Sequence, residues 1–322
     1  MTIPEISFQE YLEAKREVDD SALNSEVRKR LLSGIRDAVT EHSGPLRVLD
    51  LGTGTGAMVR RLLRDLGVVR SSGKDLEMCG VDMDAALIET AKALCAEAWA
   101  ASGLENRRST GSGEVQIEFR VMSVERALAE ENSRELISAH ALMDLLPLDE
   151  TCVAVRKSLV PGGLFYATIN YNGLTRWYPK AEDAEFEQQL LSYYDRSMRR
   201  VREDGREQDG AASGGQLYEA CGAAGLDVLA LGGSDWCVFP KVDVGSGAAD
   251  GAEAQRGIPP AYTKGELRLL TWMLGNIYKE GLREFTAGQM ETWIQDRLAC
   301  LQQERLAMVV HHLDVLARRR PR

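Results

Sequence analysis

Residues 46–56 read Leu-Arg-Val-Leu-Asp-Leu-Gly-Thr-Gly-Thr-Gly, a short apolar run closed by three alternating glycines. Leu46, Val48, Leu49 and Leu51 leave no polar face, which is the pattern of a strand buried on both sides. The glycines come where that strand must turn. Glycine accepts φ angles that other residues resist and lets the backbone approach a ligand closely. AMVRRLLRDLG, at 57–67, reads as a helix, so the glycine loop lies where a strand passes into a helix.

The same alternation runs outward to residue 171. EMCGVDM (77–83) reads as a second strand and DAALIETAKALCAEAWAASG (84–103) as a helix rich in Ala and Leu. ENRRSTGSGE (105–114) is a polar loop, VQIEFRVM (115–122) a third strand and RELISAHAL (134–142) a fourth. DETCVAVRKSLV (149–160) is a helix, and GGLFYATINY (162–171) a fifth strand that ends at Asn170 and Tyr171. Strands and helices in this order predict an α/β fold: a doubly wound, mostly parallel, Rossmann-like sheet with helices on both faces. LDVLALGGSDWCVF (226–239) reads as a sixth strand; RLAMVVHHLDVLARR (305–319) fits a helix or a strand, and its Met308-Val309-Val310 core and its position favour a last strand. Helices precede the sheet over about 8–42, and more follow at 214–225, 263–282 and 287–304.

The glycine loop alone is an open signal. Gly52, Gly54 and Ala57 also satisfy the G-x-G-x-x-A spacing of a dinucleotide-binding loop, which would make the chain a nicotinamide-dependent oxidoreductase. Two residues argue otherwise. Asp50 stands just before the glycines, where a carboxylate repels a pyrophosphate and suits a cation. Asp82, the next acidic strand end, lies 30 residues after Gly52, beyond the ~20 of a nicotinamide site.

LDLGTGTG at 49–56, GVDMDAALI at 80–88 and SLVPGGLFYATI at 158–169 together resemble the class I S-adenosylmethionine (SAM)-dependent methyltransferases, over roughly residues 46–171. The resemblance implies that SAM is the cofactor and S-adenosylhomocysteine its product. It implies that Asp50, Gly52, Thr53, Gly54 and Gly56 pass beside the methionine part, that Asp82 holds the ribose, and that Met83 lies against the adenine. The family often has an acidic residue after the third strand for the adenine amine. This chain has Ser123, leaving Ser123 and the backbone of Val124 to hold that end; Ala139 completes the cofactor set. AHALMDLL (139–146), GSDW (233–236) and HHLDVLARR (311–319) point to an uncharacterised bacterial small-molecule branch. The domains read accordingly as an N-terminal helical lid (1–44), a SAM-binding core (45–174), a helical insertion over the active site (175–210), and the rest of the core (211–322) with a flexible loop at 241–258 and helices at 264–303.

Ligands of doubly wound sheets bind at the carboxyl ends of the strands. His140 after the fourth strand, and Asn170 and Tyr171 at the end of the fifth, are the candidate catalytic residues: His140 is the base if the acceptor must lose a proton, or packs beside the cofactor, and Asn170 and Tyr171 orient an acceptor or satisfy loop backbone groups. Asp144 is read as a helix-start residue. Trp177, Tyr178, Tyr193 and Tyr194 could wall a substrate. The Arg196, Arg199, Arg200, Arg202 and Arg206 run could meet a carboxylate or phosphate, but interleaved with Glu203, Asp204 and Glu207 it reads more simply as a solvated helix face. His311, His312 and Asp314 suggest a metal, but successive strand residues face opposite ways, so no metal site is expected.

Bulk properties bound the partners. The 322 residues carry 49 acidic and 39 basic side chains, a net charge of −10, which disfavours nucleic acid as substrate. No apolar run of membrane-spanning length and no secretory leader are read, and the six cysteines form no C-x-x-C pair, so a cytoplasmic protein is expected. A small-molecule acceptor is the favoured partner, with no membrane, and the helices around Trp272 and Trp293 offer an apolar surface through which a homodimer could form. A non-catalytic scaffold on the same fold is the remaining alternative.

Overall fold

The computed structural model describes residues 6–41, 44–66, 73–101, 113–201, 207–241 and 261–321. The chain falls into two compact units. One comprises 22–173, 198–235 and 311–322; the other comprises 1–21, 174–197 and 236–310.

The first unit carries the parallel sheet. Its strands are β1 (Leu46–Leu51), β2 (Leu76–Asp82), β3 (Val115–Val121), β4 (Arg134–His140), β5 (Leu159–Tyr178), and, later in the chain, β8 (Leu226–Gly233) and β10 (Ala307–Arg319). The spatial order is β3-β2-β1-β4-β5-β10-β8, with β1 to β5 parallel and β10 antiparallel to β8. The order reverses between β1 and β4, the switch point at which doubly wound sheets bind ligands.

Two apolar layers explain why the strands read as continuous hydrophobic runs. Leu46, Val48, Leu136, Leu164 and Leu316 face one way and meet Val27, Leu31 and Ile35 of α2 (Ser25–Glu41), Met58, Val59 and Leu62 of α3 (Ala57–Asp65), and Ile88 and Ala91 of α4 (Ala85–Ala101). Leu49, Leu51, Ile137, Ala139, Phe165, Ala167 and Val315 face the other way. They meet Ala127 of α5 (Val124–Ala127), Cys152 and Val155 of α6 (Leu148–Ser158), and Leu217 and Ala220 of α8 (Ser213–Ala223). Helix α2 is therefore a layer of the core. Asn24 caps it, its Oδ1 accepting from Val27 N at 3.0 Å.

The second unit holds α1 (Phe8–Ala22), α7 (Ala184–Ser197), β9 (Trp236–Val238), α9 (Lys264–Gly281) and α10 (Ala287–Gln302). Helix α1 buries an ion pair, Lys15 to Asp19 at 2.8 Å, and Asp19 also accepts from Trp236 Nε1 at 2.8 Å. Helices α9 and α10 both open with reciprocal capping boxes, Thr263 with Glu266 and Thr286 with Gln289. Thr263→Ala is expected to lower the unfolding free energy by about 1 kcal/mol, measured as a shift of the urea midpoint, because Glu266 N loses its acceptor.

Four expectations need correction. The fifth strand does not stop at Tyr171 but runs to Tyr178, so Asn170 and Tyr171 lie inside it. Residues 175–210 are not helical throughout: after α7 the chain forms a two-stranded antiparallel ribbon, β6 (Arg199–Val201) with β7 (Glu207–Asp209). Arg199 and Arg200 thus sit on a strand; Arg202, Glu203, Asp204 and Arg206 lie outside the described residues. The sixth strand breaks at Ser234–Asp235, where the Asp235 carboxylate accepts from His312 N at 3.2 Å and meets His311 Nδ1 at 2.7 Å. Trp293 is buried, donating to Glu187 at 3.0 Å, and so presents no dimer surface, while Trp272 stacks on Tyr11. Of the loops expected at 105–114 and 241–258, residues 105–112 and 242–258 lie outside the described residues. Among the described residues no helix is long and apolar enough to cross a membrane.

Candidate active site

The site is built where alternation on one sheet face changes character. Along β1 that face reads Leu46, Val48, Asp50; along β4, Leu136, Ser138, His140; along β5, Leu164, Tyr166, Thr168. On each strand this face turns from apolar to polar at the level where β1 and β4 end. The polar positions lie on neighbouring strands, so their groups meet.

Asp50 is fully buried. Its carboxylate accepts from Ser138 Oγ and from Thr53 Oγ1, both at 2.7 Å. Burial pushes its pKa up from 3.8 to about 6, against the pull of those two hydroxyls and the nearby Arg61 charge. The loop that follows is left-handed at Gly52, Gly54 and Gly56. The left-handed φ at Gly52 favours glycine there, and a Cβ would also press on the Leu142 side chain at 2.6 Å.

Asp82 ends β2. Its Oδ2 accepts from Gly54 N at 2.9 Å and its Oδ1 from Asp84 N at 3.0 Å, which ties the glycine loop to the second strand. A carboxylate has about four acceptor positions. Two therefore remain for a pair of ribose hydroxyls. Met83 is 76% exposed and Val121, the register partner of Asp82, is 55% exposed. Two exposed apolar side chains at adjacent strand ends suit a flat, apolar ring. Ser123 is the N-cap of α5, its side chain accepting from Arg126 N at 3.4 Å, and Val124 opens that helix. Ala139 is buried between β1 and β5 in the opposite layer and can reach a ligand only through its backbone. The loop, Asp82 and the apolar ledge fit the amino acid, ribose and base of a SAM-sized nucleotide.

His140 is held at both ring nitrogens. Nδ1 lies 2.8 Å from Thr168 Oγ1 and Nε2 lies 3.1 Å from Arg61 Nη1. A guanidinium only donates, so Nε2 presents its lone pair and Nδ1 carries the proton given to Thr168. A proton on Nε2 would set two donors against one another. Asn170 is buried, its Nδ2 donating to Leu313 O at 2.8 Å, and Tyr171 meets the His312 ring edge-on at 5.9 Å. The structure thus brings Asp50, Thr53, Ser138 and His140 together, and places Asn170 and Tyr171 in the β5–β10 seam. Arg61 was missed by sequence reasoning. Its signal was present: it falls on the apolar stripe of α3 with Met58 and Leu62, where a charge is unexpected, and it is only 4% exposed. His311 and His312 face opposite ways as expected of a strand, and among the described residues no group of side chains could hold a metal.

A family model described as a methyltransferase domain matches residues 42–210, just over half of the chain and all of the site above. The chain belongs to the class I SAM-dependent methyltransferases. SAM is accordingly the cofactor of this methyltransferase. No curated protein is similar enough in sequence to match it. Similar solved structures include the YcgJ protein of Bacillus subtilis, 14% identical, with 93% of this chain and 100% of that one covered and a TM-score of 0.45. A geranyl diphosphate C-methyltransferase from Streptomyces coelicolor is 12% identical, over 90% and 80% of the two chains, with a TM-score of 0.38. A phosphoethanolamine N-methyltransferase from Haemonchus contortus is 13% identical, over 99% and 61%, with a TM-score of 0.39. Likenesses this distant say nothing of an acceptor.

Proposed function

We propose that this methyltransferase acts on a small-molecule acceptor in the cytoplasm, by in-line displacement that releases S-adenosylhomocysteine. SAM supplies the methyl group; the acceptor's lone pair forms the new bond to carbon as the carbon–sulfur bond breaks, its electrons staying on sulfur. The protein's contribution is alignment, which in displacement reactions supplies most of the gain. Asp50 faces the ammonium of the cofactor's amino acid, Asp82 takes the ribose hydroxyls, and Met83 with Ser123 and Val124 flanks the base.

His140 positions rather than abstracts. To act as a base it must break from Arg61, so an acceptor proton, where there is one, leaves to water. Asn170 and Tyr171 support the shape of β5 around the acceptor. The observation that carries the small-molecule reading is the charge balance: an excess of ten acidic side chains repels phosphate backbones.

The test incubates the purified protein with SAM labelled in its methyl group and a cell extract separated into low-mass, protein and nucleic-acid fractions. Label is expected in the low-mass fraction. Label confined to protein or nucleic acid would refute the reading. Tight SAM binding without transfer to any fraction would favour the scaffold alternative.

A further inference from the structure

The HHLD segment at 311–314 reaches the candidate site through the backbone of β5. Parallel strands β4 and β5 both leave ordinary geometry at the same level. Ala141, one residue after His140, has φ +50°, and Ile169, one residue after Thr168, has φ +55°. His140 and Thr168 are register partners joined through their side chains at 2.8 Å, and Ala141 N donates to Thr168 O at 2.8 Å. The paired kinks therefore set where the His140 ring sits. A left-handed conformation is unfavourable for a β-branched residue such as isoleucine, and it persists only when neighbours enforce it. The enforcing group is Asp314. From β10 its Oδ1 accepts the Ile169 N–H at 2.9 Å, while its Oδ2 accepts Asn24 N, before α2, at 2.8 Å. Asp314 is fully buried, and so is Thr168.

We infer that Asp314 is a positioning residue of this methyltransferase: its carboxylate holds the Ile169 kink, the kink aims Thr168, and Thr168 with Arg61 fixes the tautomer and placement of His140. The role of His140 toward the acceptor rests on the proposed function; the coupling from Asp314 to His140 does not, and it can be read without an acceptor. The chain has four histidines, so ring nitrogens labelled with 15N resolve His140 against a His140→Gln variant. In the native protein His140 is expected to show one neutral form with its proton on Nδ1. Asp314→Asn keeps the shape but turns an amide N–H toward one of the two backbone donors, and His140 is expected to average between tautomers. Adding Ile169→Gly, which accepts positive φ unaided, is expected to restore the single form although the Asn24 contact stays broken.

S-adenosylhomocysteine affinity, followed by calorimetry, is expected to be unchanged in both variants, since Asp82 and the glycine loop are untouched. Failure of the native protein to bind that nucleotide would count against the cofactor site, not against this coupling. A His140 signature indifferent to Asp314→Asn would overturn the inference. So would a double variant no better than the single one. Should Asp314→Asn alone fail to fold, a folded double variant with His140 fixed supports the inference, and an unfolded double variant overturns it.

Discussion

Asp82→Ala is expected to weaken SAM binding by more than tenfold, roughly 1.4 kcal/mol or above. The carboxylate does two things at once. On the proposed function it offers its free acceptor positions to the ribose hydroxyls, and it already holds Gly54 N at 2.9 Å, so its loss also loosens the glycine loop. A buried donor left unmatched costs about 1–3 kcal/mol, and alanine leaves several. Asp84→Ala is the matching control. Asp84 caps α4 through Ala86 N and Leu87 N at 2.8 and 3.2 Å, so its loss lowers stability by about 1 kcal/mol and leaves affinity nearly intact. Calorimetric titration with SAM separates the two. Equal affinities for native and Asp82→Ala protein would mean that the cofactor does not sit at the end of β2.

Asp82 was legible in the sequence for a simple reason: it ends an apolar run, and strand ends are where ligands go in such sheets. Asp50 and His140 were legible in the same way, as polar residues closing the apolar runs of the first and fourth strands, while Thr53 came only with the family resemblance. That logic misplaced Asn170 and Tyr171 because strand length is not encoded in hydrophobicity alone. The chain past Ile169 stays extended because β10 lies beside it, with Leu313 O taking Asn170 Nδ2, and a partner 143 residues away leaves no local mark. The ribbon at 199–209 was hidden for a related reason. Its charges at 199 and 200 fit a solvated helix as well as a ribbon, and only pairing with 207–209 decides between them. Arg61 was overlooked, and Asp314 was weighed only as a metal ligand, because charge is usually a surface signal; both are buried, and a charge in a core slot was itself the clue.

SAM affinity is expected to fall as pH drops below about 6, by about tenfold for each further pH unit, and Asp50→Asn is expected to remove that slope. Burial raises the Asp50 carboxyl from its usual 3.8 to about 6. Below that value the empty site holds a proton on Asp50, which must leave before the carboxylate can face the cofactor's ammonium. The linkage has a second face in stability. A folded-state pKa above the unfolded one means that the folded protein holds the proton more tightly between pH 4 and 6. The ionised carboxylate therefore costs the fold roughly 3 kcal/mol at neutral pH, a cost that fades as pH falls from about 6 to 4. Asp50→Asn should accordingly gain stability at pH 7 while losing affinity for SAM. Adenosine, which lacks the amino acid, separates this cause from others: its affinity should stay flat across the same range. His140→Gln excludes a contribution from the ring, and should keep the slope. A flat SAM profile in the native protein would make Asp50 a purely structural acceptor for Ser138 and Thr53. The slope, present with SAM and absent with adenosine, would identify a buried carboxylate kept charged at the expense of the fold because the ligand is a cation.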